Sequence, residues 1–158
     1  MSRPSQLVSR FDGLRVAVIG DVMLDHFLVG RADRISPEAT VPVVSLERED
    51  FRLGGAANVA ANIATLSGVP LLAGLIGRDD AGQRLIEAGT LAHIDTTRLT
   101  PDPTRPTTEK IRAVTERHQQ VARIDRESNA PIAGPTLATL AQHIAALHEC
   151  RAIVLSDY

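Results

Sequence analysis

"RLGGAANVAANIATLSG", residues 52–68, places two adjacent glycines directly in front of an alanine-rich stretch. The apolar positions of this stretch recur at helical spacing, and Asn58 and Asn62 lie one turn apart on a different face. The pattern predicts a helix over residues 55–67 that ends at Gly68. Its many alanines favour close packing of this helix against a sheet.

The glycine pair, Gly54 and Gly55, can serve two different purposes. Glycines adopt positive φ and have no Cβ, so a ligand could reach the backbone beside helical N–H groups that lack partners. The same pair could simply form the turn that enters the helix. It is not a Walker A loop, because no Lys-Ser or Lys-Thr pair follows it. The single glycine of "VIGDVMLD", residues 18–25, also fails the dinucleotide fingerprint.

Segments on both sides of this helix predict a layered α/β arrangement. Short apolar runs predict strands, and apolar residues at helical spacing predict two further helices, one of them starting near Asp79 or Asp80. The strands are expected at residues 15–21, 41–49, 70–80 and 151–158, and the helices at 81–93 and 134–149. We therefore expect a central sheet that consists mainly of buried parallel strands and is flanked by helices.

A different kind of sheet is predicted downstream. Residues 107–116 and 119–127 alternate polar and apolar positions around the connection "RHQQ", which is typical of a hairpin with one solvated face. Residues 99–108 contain three prolines and predict an extended connection between the two layers. Pro42 indicates that the run over residues 41–49 is an edge strand or begins a strand.

The composition is that of an ordinary globular protein. The chain has 158 residues, 44% of them hydrophobic, and a formal net charge of −2, which suits one domain and excludes the basic footprint of a nucleic-acid-binding protein. The N-terminus lacks an apolar secretory signal, and no apolar run approaches the roughly 20 residues of a membrane span, so we expect a cytoplasmic protein without membrane contact. Cys150 is the only cysteine, which excludes an internal disulfide and predicts a buried free thiol.

Polar residues near the glycine pair suggest a ligand site. Asp21 and Asp25 follow the strand over residues 15–21, at the carboxyl edge where α/β sheets bind ligands, although either could cap a loop. Asn58 carries amide donors and acceptors that suit a hydroxyl-bearing ligand, or it could satisfy nearby backbone groups. A carboxylate and an asparagine together predict a pocket for polyols. The five histidines lack metal-ligand spacing, so they are expected to be structural or exposed, and no metal site is predicted.

Several of these stretches resemble a known family. "GGAANVAANIATLSG" together with "LLAGLIGRDDAG" resembles the N-terminal signature of the ribokinase-type (PfkB) carbohydrate kinases. "VIGDVMLDHFLVGRADRISPEATVPVVSLE", "RHQQVARID" and "VLSDY" are similar to the heptose-7-phosphate kinases within that family. The likeness extends from about Val16 to Tyr158, and residues 34–44 narrow it to the subfamily.

The resemblance implies a ribokinase-like α/β fold with a sugar site. It implies a central sheet with flanking helices and a small β lid that closes over the sugar, with lid strands within about residues 27–49 and 106–126. In this family pattern the glycine pair opens the helix at the sugar, and an aspartate after the first strand anchors hydroxyls. The implied sugar-binding residues are Asp25, Gly54, Gly55 and Asn58.

The resemblance also suggests where a substrate phosphate would bind. Lys110 and Arg112 lie two residues apart on one lid strand and therefore point to the same face, so they are the expected phosphate partners. A solvated lid face is the alternative for these two residues. The phosphate could also be held elsewhere, by Arg31, Arg34 or Arg105.

The implied function is ATP-dependent phosphorylation, with Mg²⁺, of the anomeric hydroxyl of D-glycero-D-manno-heptose 7-phosphate in ADP-heptose synthesis for lipopolysaccharide. Another sugar substrate within the superfamily and a non-catalytic sugar-binding module are the alternatives. Family members carry the nucleotide site and the general base in a C-terminal half that nothing in this sequence matches. We therefore expect residues 1–158 to be the N-terminal part of one kinase domain, truncated after its first half, without catalytic residues and inactive alone. The full-length protein is expected to be a homodimer through the lid.

Overall fold

Two four-stranded sheets and three helices organise residues 8–158, the part of the chain that the computed structural model describes. Single 3₁₀ turns lie at Ser9–Phe11 and Ala146–Glu149. In chain order the elements are β1 (Arg15–Gly20), β2 (Val22–Ile35), β3 (Pro42–Gly54), α1 (Gly55–Thr65), β4 (Val69–Gly77), α2 (Asp80–Leu91), β5 (Asp95–Asp102), β6 (Thr108–Thr115), β7 (Gln120–Arg126), α3 (Gly134–Ala145) and β8 (Ala152–Ser156).

The first sheet is parallel throughout and has the strand order β5-β4-β1-β8. Val16, Ala17 and Val18 of the central strand β1 are at most 4% exposed, as expected for an apolar run covered on both faces. The strands predicted at residues 15–21 and 70–80 are thus confirmed as β1 and β4. The predicted α/β class is confirmed with them.

Strand β5 corrects one prediction. The sequence predicts a plain extended connection over residues 99–108, but Leu99–Asp102 belong to β5, which pairs in parallel with β4. Pro101 is tolerated there because β5 is an edge strand, where a missing N–H need not break a ladder.

The second sheet is mixed and has the order β3-β2-β6-β7. The pairs β2–β3 and β6–β7 are antiparallel, which confirms the predicted downstream hairpin, whereas β2 and β6 pair in parallel. Strand β3 begins at Pro42 and lies at the sheet edge, as the proline indicates. The residue pattern does not predict β2, the 14-residue strand that joins these pairs, although the family resemblance implies lid strands within about residues 27–49.

Helix α1 packs its alanines into the core. Ala56, Ala57 and Ala60 are 0% exposed and belong to a cluster with Val18 of β1 and Leu72 of β4. Small side chains let the helix axis approach the sheet closely, so the structural interpretation of these alanines is confirmed.

The helix ends differ in part from the prediction. Helix α1 ends at Thr65, two residues before the predicted end, and Ser67, with φ of 65°, takes the left-handed conformation. The Gly68 N–H donates to the Ile63 carbonyl at 3.0 Å, which satisfies one of the last carbonyls of the helix. Helix α2 starts as predicted, because the Asp79 carboxylate caps it by accepting from the Gly82 N–H.

Strand β8 forms in parallel to β1 but is not buried as predicted. Ile153 is 58% and Leu155 75% exposed, because β8 lies at the sheet edge and no described helix covers this face of it. Cys150, just before β8, is a free thiol as predicted, but it is half-buried rather than buried.

The expected lack of a membrane span and the expected lack of a secretory signal concern different parts of the chain. None of the helices within residues 8–158 has the length and hydropathy that crossing a bilayer requires. The expected lack of a secretory leader concerns in part residues 1–7, which lie outside the described residues.

Candidate functional site

Strand register brings several predicted site residues onto one face of the second sheet. Asp25 on β2 stands opposite Lys110 of β6 on one side and opposite Arg52 of β3 on the other. Phe27, two residues further along β2, stands opposite Arg112. Because cross-strand partners share a face and side chains alternate along a strand, these five residues project from the same side of the sheet.

The Asp25 carboxylate has one engaged and one open oxygen. Arg112 donates from Nη1 to Asp25 Oδ1, and the two side chains are 22% and 25% exposed. Asp25 Oδ2 receives no hydrogen bond from residues 8–158. A half-buried carboxylate oriented by a guanidinium and holding one free oxygen can accept hydroxyl donors from a ligand.

Gly54 is adjacent to this carboxylate. Its φ is −114°, which other residues also adopt, so a glycine is needed here for its lack of a side chain and not for backbone freedom. A Cβ on Gly54 would lie 2.9 Å from Asp25 Oδ2 and 2.8 Å from Met23 Cγ. The absence of a side chain at position 54 therefore leaves room for the acid.

Gly55 has a different reason to be glycine. It adopts φ of 51°, and a Cβ there would meet the Asp21 carbonyl oxygen at 2.3 Å. The Asp21 carbonyl also accepts the first free N–H of α1, from Ala56, at 2.9 Å. The Asp21 carboxylate accepts the Tyr158 N–H at 2.9 Å, so of the two candidate aspartates Asp21 has the loop-capping role.

Asn58 lies in the first turn of α1 with an exposed side chain. It caps nothing, since no side chain caps this helix and its amide makes no hydrogen bond to any residue from 8 to 158. The capping alternative is thus removed, and the amide remains available to a ligand.

The two residues expected to bind phosphate are both engaged in ion pairs. Lys110 Nζ lies 3.6 Å from Asp125 Oδ2 and 3.5 Å from Glu127 Oε2, and its side chain is 12% exposed. Arg112 pairs with Asp25. Lys110 and Arg112 therefore do share a face, but two carboxylates already neutralise the lysine.

The alternative phosphate residues differ in their surroundings. Arg31 pairs with Glu47 at 2.8 Å, and Arg105 pairs with Asp102 at 3.1 Å while also donating to the Ala130 carbonyl. Arg34 is exposed on the distal part of β2. None of the three adjoins Asp25 in the strand register.

Phe27 and Arg52 also belong to this face, but neither is among the site residues predicted from the sequence. Phe27 has the Arg52 guanidinium carbon 4.8 Å and the Arg112 guanidinium carbon 5.4 Å from its ring centre, both within cation–π range. The alternation of Asp25 and Phe27 would have indicated Phe27, had residues 22–35 been recognised as one strand.

The opposite face of the second sheet carries a cluster of polar side chains around His26. His26 Nδ1 lies 2.9 Å from Glu109 Oε1, and His26 Nε2 lies 2.7 Å from Glu49 Oε2. The imidazole stacks on Phe51 with ring centres 4.3 Å apart, and Arg126 pairs with Glu109 at 3.1 Å. These contacts join four strands, which agrees with the structural assignment of His26.

Asp79 anchors the start of β6, the strand that carries Lys110 and Arg112. Its carboxylate accepts from the Thr107 hydroxyl at 2.6 Å, the Thr107 N–H at 2.9 Å and the Gly82 N–H at 3.0 Å. Burial acts to raise the pKa of Asp79, but the hydrogen bonds from Thr107 and Gly82, with the charge of Arg126, lower this pKa overall. The acid is therefore ionised at neutral pH and links the first sheet to the second.

The side chains of residues 8–158 do not form a recognisable site for Mg²⁺ or for nucleotide phosphates. The described residues contain no group of three or more His, Cys, Asp or Glu side chains that could hold a metal ion. The glycine turn before α1 lacks the lysine of a phosphate-binding loop. What the described site does offer is a set of partners for hydroxyl groups.

Comparison with known sequences gives a consistent family assignment. Residues 14–157 match the model of the pfkB family carbohydrate kinases. The chain is 47% identical over 159 aligned positions to the "Bifunctional protein HldE" of Caulobacter vibrioides, covering 98% of this chain and 31% of that protein. It is 45% identical to the protein of the same name from Pseudomonas paraeruginosa, covering 94% of this chain and 31% of that protein. The chain thus spans about a third of the length of the curated relatives it matches.

Comparison with solved structures gives the same fold. The ribokinase of Arabidopsis thaliana, solved with ribose and ATP, superposes with a TM-score of 0.61 at 17% identity over 91% of this chain and 45% of that chain. The ribokinase of Cryptococcus neoformans, in complex with ADP, superposes with a TM-score of 0.56 at 24% identity over 80% of this chain and 38% of that chain. These likenesses confirm the expected ribokinase-like arrangement.

Proposed function

Because this chain belongs to the pfkB family of carbohydrate kinases, we propose that it forms the sugar-binding part of an ATP-dependent, Mg²⁺-requiring kinase. The proposed acceptor is the anomeric hydroxyl of D-glycero-D-manno-heptose 7-phosphate, in the cytoplasmic synthesis of ADP-heptose for lipopolysaccharide. The proposal is supported by the identity of 47% to an HldE protein and by the heptose-kinase-like stretch over residues 34–44.

The observation that carries the proposal is the geometry around Asp25. Arg112 occupies one carboxylate oxygen, Gly54 leaves room beside the other, and Asn58 presents an unengaged amide from the adjacent helix. An acceptor on one side and an amide on the other suit the hydroxyls of a sugar. In the proposed complex Asp25 accepts sugar hydroxyls, Gly54 and Gly55 allow close approach, and Arg112 fixes the carboxylate.

The remaining roles follow from the arrangement of the two sheets. We propose that the second sheet acts as a lid whose Asp25 face covers the sugar and that Lys110 and Arg112 lie near the substrate phosphate. A homodimer through this sheet is proposed as well. ATP supplies the transferred phosphoryl group, and its site is proposed to lie in a part of the domain that residues 8–158 do not represent.

The test is calorimetric titration of Asp25→Asn with heptose 7-phosphate. The substitution removes charge-assisted hydrogen bonds worth about 1.5–3 kcal/mol each, so we expect the affinity to fall tenfold or more with the fold intact. Asp33→Asn is the matched control, because Asp33 is an exposed carboxylate on the same strand, β2. Equal affinities of the two variants would show that Asp25 is not part of the site. Tighter binding of a different sugar than of heptose 7-phosphate would show that the proposed substrate is wrong.

A further inference from the structure

We infer that Arg52 is the residue by which this face recognises a phosphate group on the sugar, an inference that rests on the proposed function. Arg52 stands on β3 directly opposite Asp25. Cross-strand partners have Cβ atoms about 5 Å apart, so a ligand held by Asp25 lies within reach of the Arg52 side chain.

The charge balance of this face singles out Arg52. Its basic neighbours are neutralised: Lys110 by Asp125 and Glu127, Arg112 by Asp25, and Arg123 by Asp125 at 2.9 Å. Arg52 makes no ion pair with any described residue and contacts the Phe27 ring instead. The uncompensated positive charge beside Asp25 is therefore located on Arg52.

Phe27 gives this guanidinium a defined position. The guanidinium carbon lies 4.8 Å from the ring centre, and a guanidinium that contacts a ring through its π-face keeps its N–H groups free at the edge. The Arg112 guanidinium lies over the same ring, at 5.4 Å. A phosphate dianion can accept two parallel N–H donors from the Arg52 guanidinium.

In this arrangement Asp25 and Arg52 bind different parts of the same ligand. Asp25 can accept hydroxyl groups from phosphorylated and unphosphorylated sugars alike. Arg52 contributes only when the sugar carries a phosphate, so it sets specificity without setting general sugar affinity. Lys110, which is mostly buried between two carboxylates, has less charge to offer an incoming anion.

The experiment compares binding of D-glycero-D-manno-heptose with that of its 7-phosphate by calorimetry. For Arg52→Gln we expect a tenfold to hundredfold loss of affinity for the 7-phosphate and a change below twofold for the unphosphorylated sugar. Arg52→Lys should retain part of the discrimination. The matched control is Arg117→Gln, because Arg117 is an exposed arginine in the turn between β6 and β7 and has been given no part in the site. Melting curves of the variants establish that each is folded.

The outcomes separate this inference from the proposed function. If Arg52→Gln weakens both sugars equally or neither, while Asp25→Asn weakens both, the inference is overturned and the sugar site stands. If Lys110→Ala alone removes the discrimination, the phosphate is assigned to the lysine and the inference is overturned. If the heptose pair does not bind but fructose 6-phosphate is preferred to fructose in an Arg52-dependent way, the inference stands and the proposed substrate is wrong. If the folded chain binds no sugar, both are overturned.

Discussion

At the scale of single residues, the candidate site depends on which atoms are absent as much as on which are present. Gly54 has no side chain, and the space this leaves is adjacent to the Asp25 carboxylate and Met23. Gly55 has no side chain either, but there the neighbour is backbone, the carbonyl of Asp21. A substitution at Gly54 would therefore displace side chains that can move, whereas a substitution at Gly55 would displace the backbone at the start of α1.

Gly54→Ala is expected to impair binding more than folding. The new Cβ would lie within 3 Å of Asp25 Oδ2 and Met23 Cγ, so both side chains must shift, at a cost of about 1–3 kcal/mol in unfolding free energy. Displacing the carboxylate should lower sugar affinity about tenfold, measured by calorimetry beside urea unfolding.

Two other glycines are the controls for this substitution. Gly13→Ala tests the loss of a glycine that has φ of 67° but no atom within 4 Å of the new Cβ, so it should leave sugar affinity unchanged. Gly55→Ala should be the most destabilising of the three, because its Cβ meets backbone. Unchanged sugar affinity in Gly54→Ala would show that Asp25 is not fixed by this contact.

Asp79→Asn should reveal a pH-dependent contribution to stability. The pKa of Asp79 is lowered from 3.8 in the folded chain, so its stabilisation is present above this value and is lost as the pH falls through the lower folded value. We expect the variant to be about 1–2 kcal/mol less stable at pH 7, and the gap to narrow progressively below about pH 4. Urea unfolding at several pH values measures this, with exposed Asp80→Asn as the control. A gap that stays constant down to acid pH would contradict the role given to the charge.

At the scale of elements, β2 carries different chemistry on its two faces. Asp25 and Phe27 belong to the candidate site, whereas His26 between them joins β3 and β6 through Glu49 and Glu109. The strand is thereby tied to both neighbours on the face opposite Asp25. Its position is fixed without engaging the open oxygen of Asp25.

Removal of the imidazole should loosen the second sheet. His26→Ala removes a hydrogen-bond partner of Glu109, which is 5% exposed, so we expect a loss of about 2–4 kcal/mol in unfolding free energy. Urea unfolding measures the loss. His118→Asn is the control, since His118 is exposed in a turn with φ of 60°, a conformation that asparagine tolerates. Equal stability of the two variants would show that the cluster contributes nothing.

The same element shows what sequence patterns could and could not reveal. The buried strands β1 and β4, the β6–β7 hairpin and the cap at Asp79 follow from local signals, and the structure confirms them. Strand β2 does not follow from the residue pattern, because residues 22–24 are all buried, which hides the alternation, and because the residues after Arg31 resemble a turn. Arg52 could not be found in advance, since its lack of an ion-pair partner depends on cross-strand neighbours.

At the scale of the whole molecule, the first sheet has an incompletely covered edge. Strand β8 pairs only with β1 in the described structure and exposes Ile153 and Leu155. The chain also spans 31% of the HldE protein of Caulobacter vibrioides. Exposed apolar side chains on an open strand edge favour self-association.

We expect the isolated 158-residue chain to transfer no phosphoryl group and to self-associate. The described residues offer partners for a sugar but no recognisable cradle for nucleotide phosphates and no metal cluster. The measurement is ATP-dependent phosphorylation of heptose 7-phosphate, with light scattering for association. The comparison is a chimera in which the chain replaces its counterpart in the Caulobacter vibrioides relative. Turnover by the isolated chain within tenfold of an active chimera would show that the catalytic residues lie within these 158 positions.

The parallel pairing of β2 with β6 constrains the order in which these strands can pair during synthesis on the ribosome. Asp25 and Arg112, which form one ion pair, are 87 positions apart in the chain. During synthesis a ribosome must therefore deliver α1, β4, α2 and β5 before β6 can dock beside β2 and the Asp25 face can close. Contacts between such distant positions form slowly, so we expect the Asp25 face to complete its contacts late in folding.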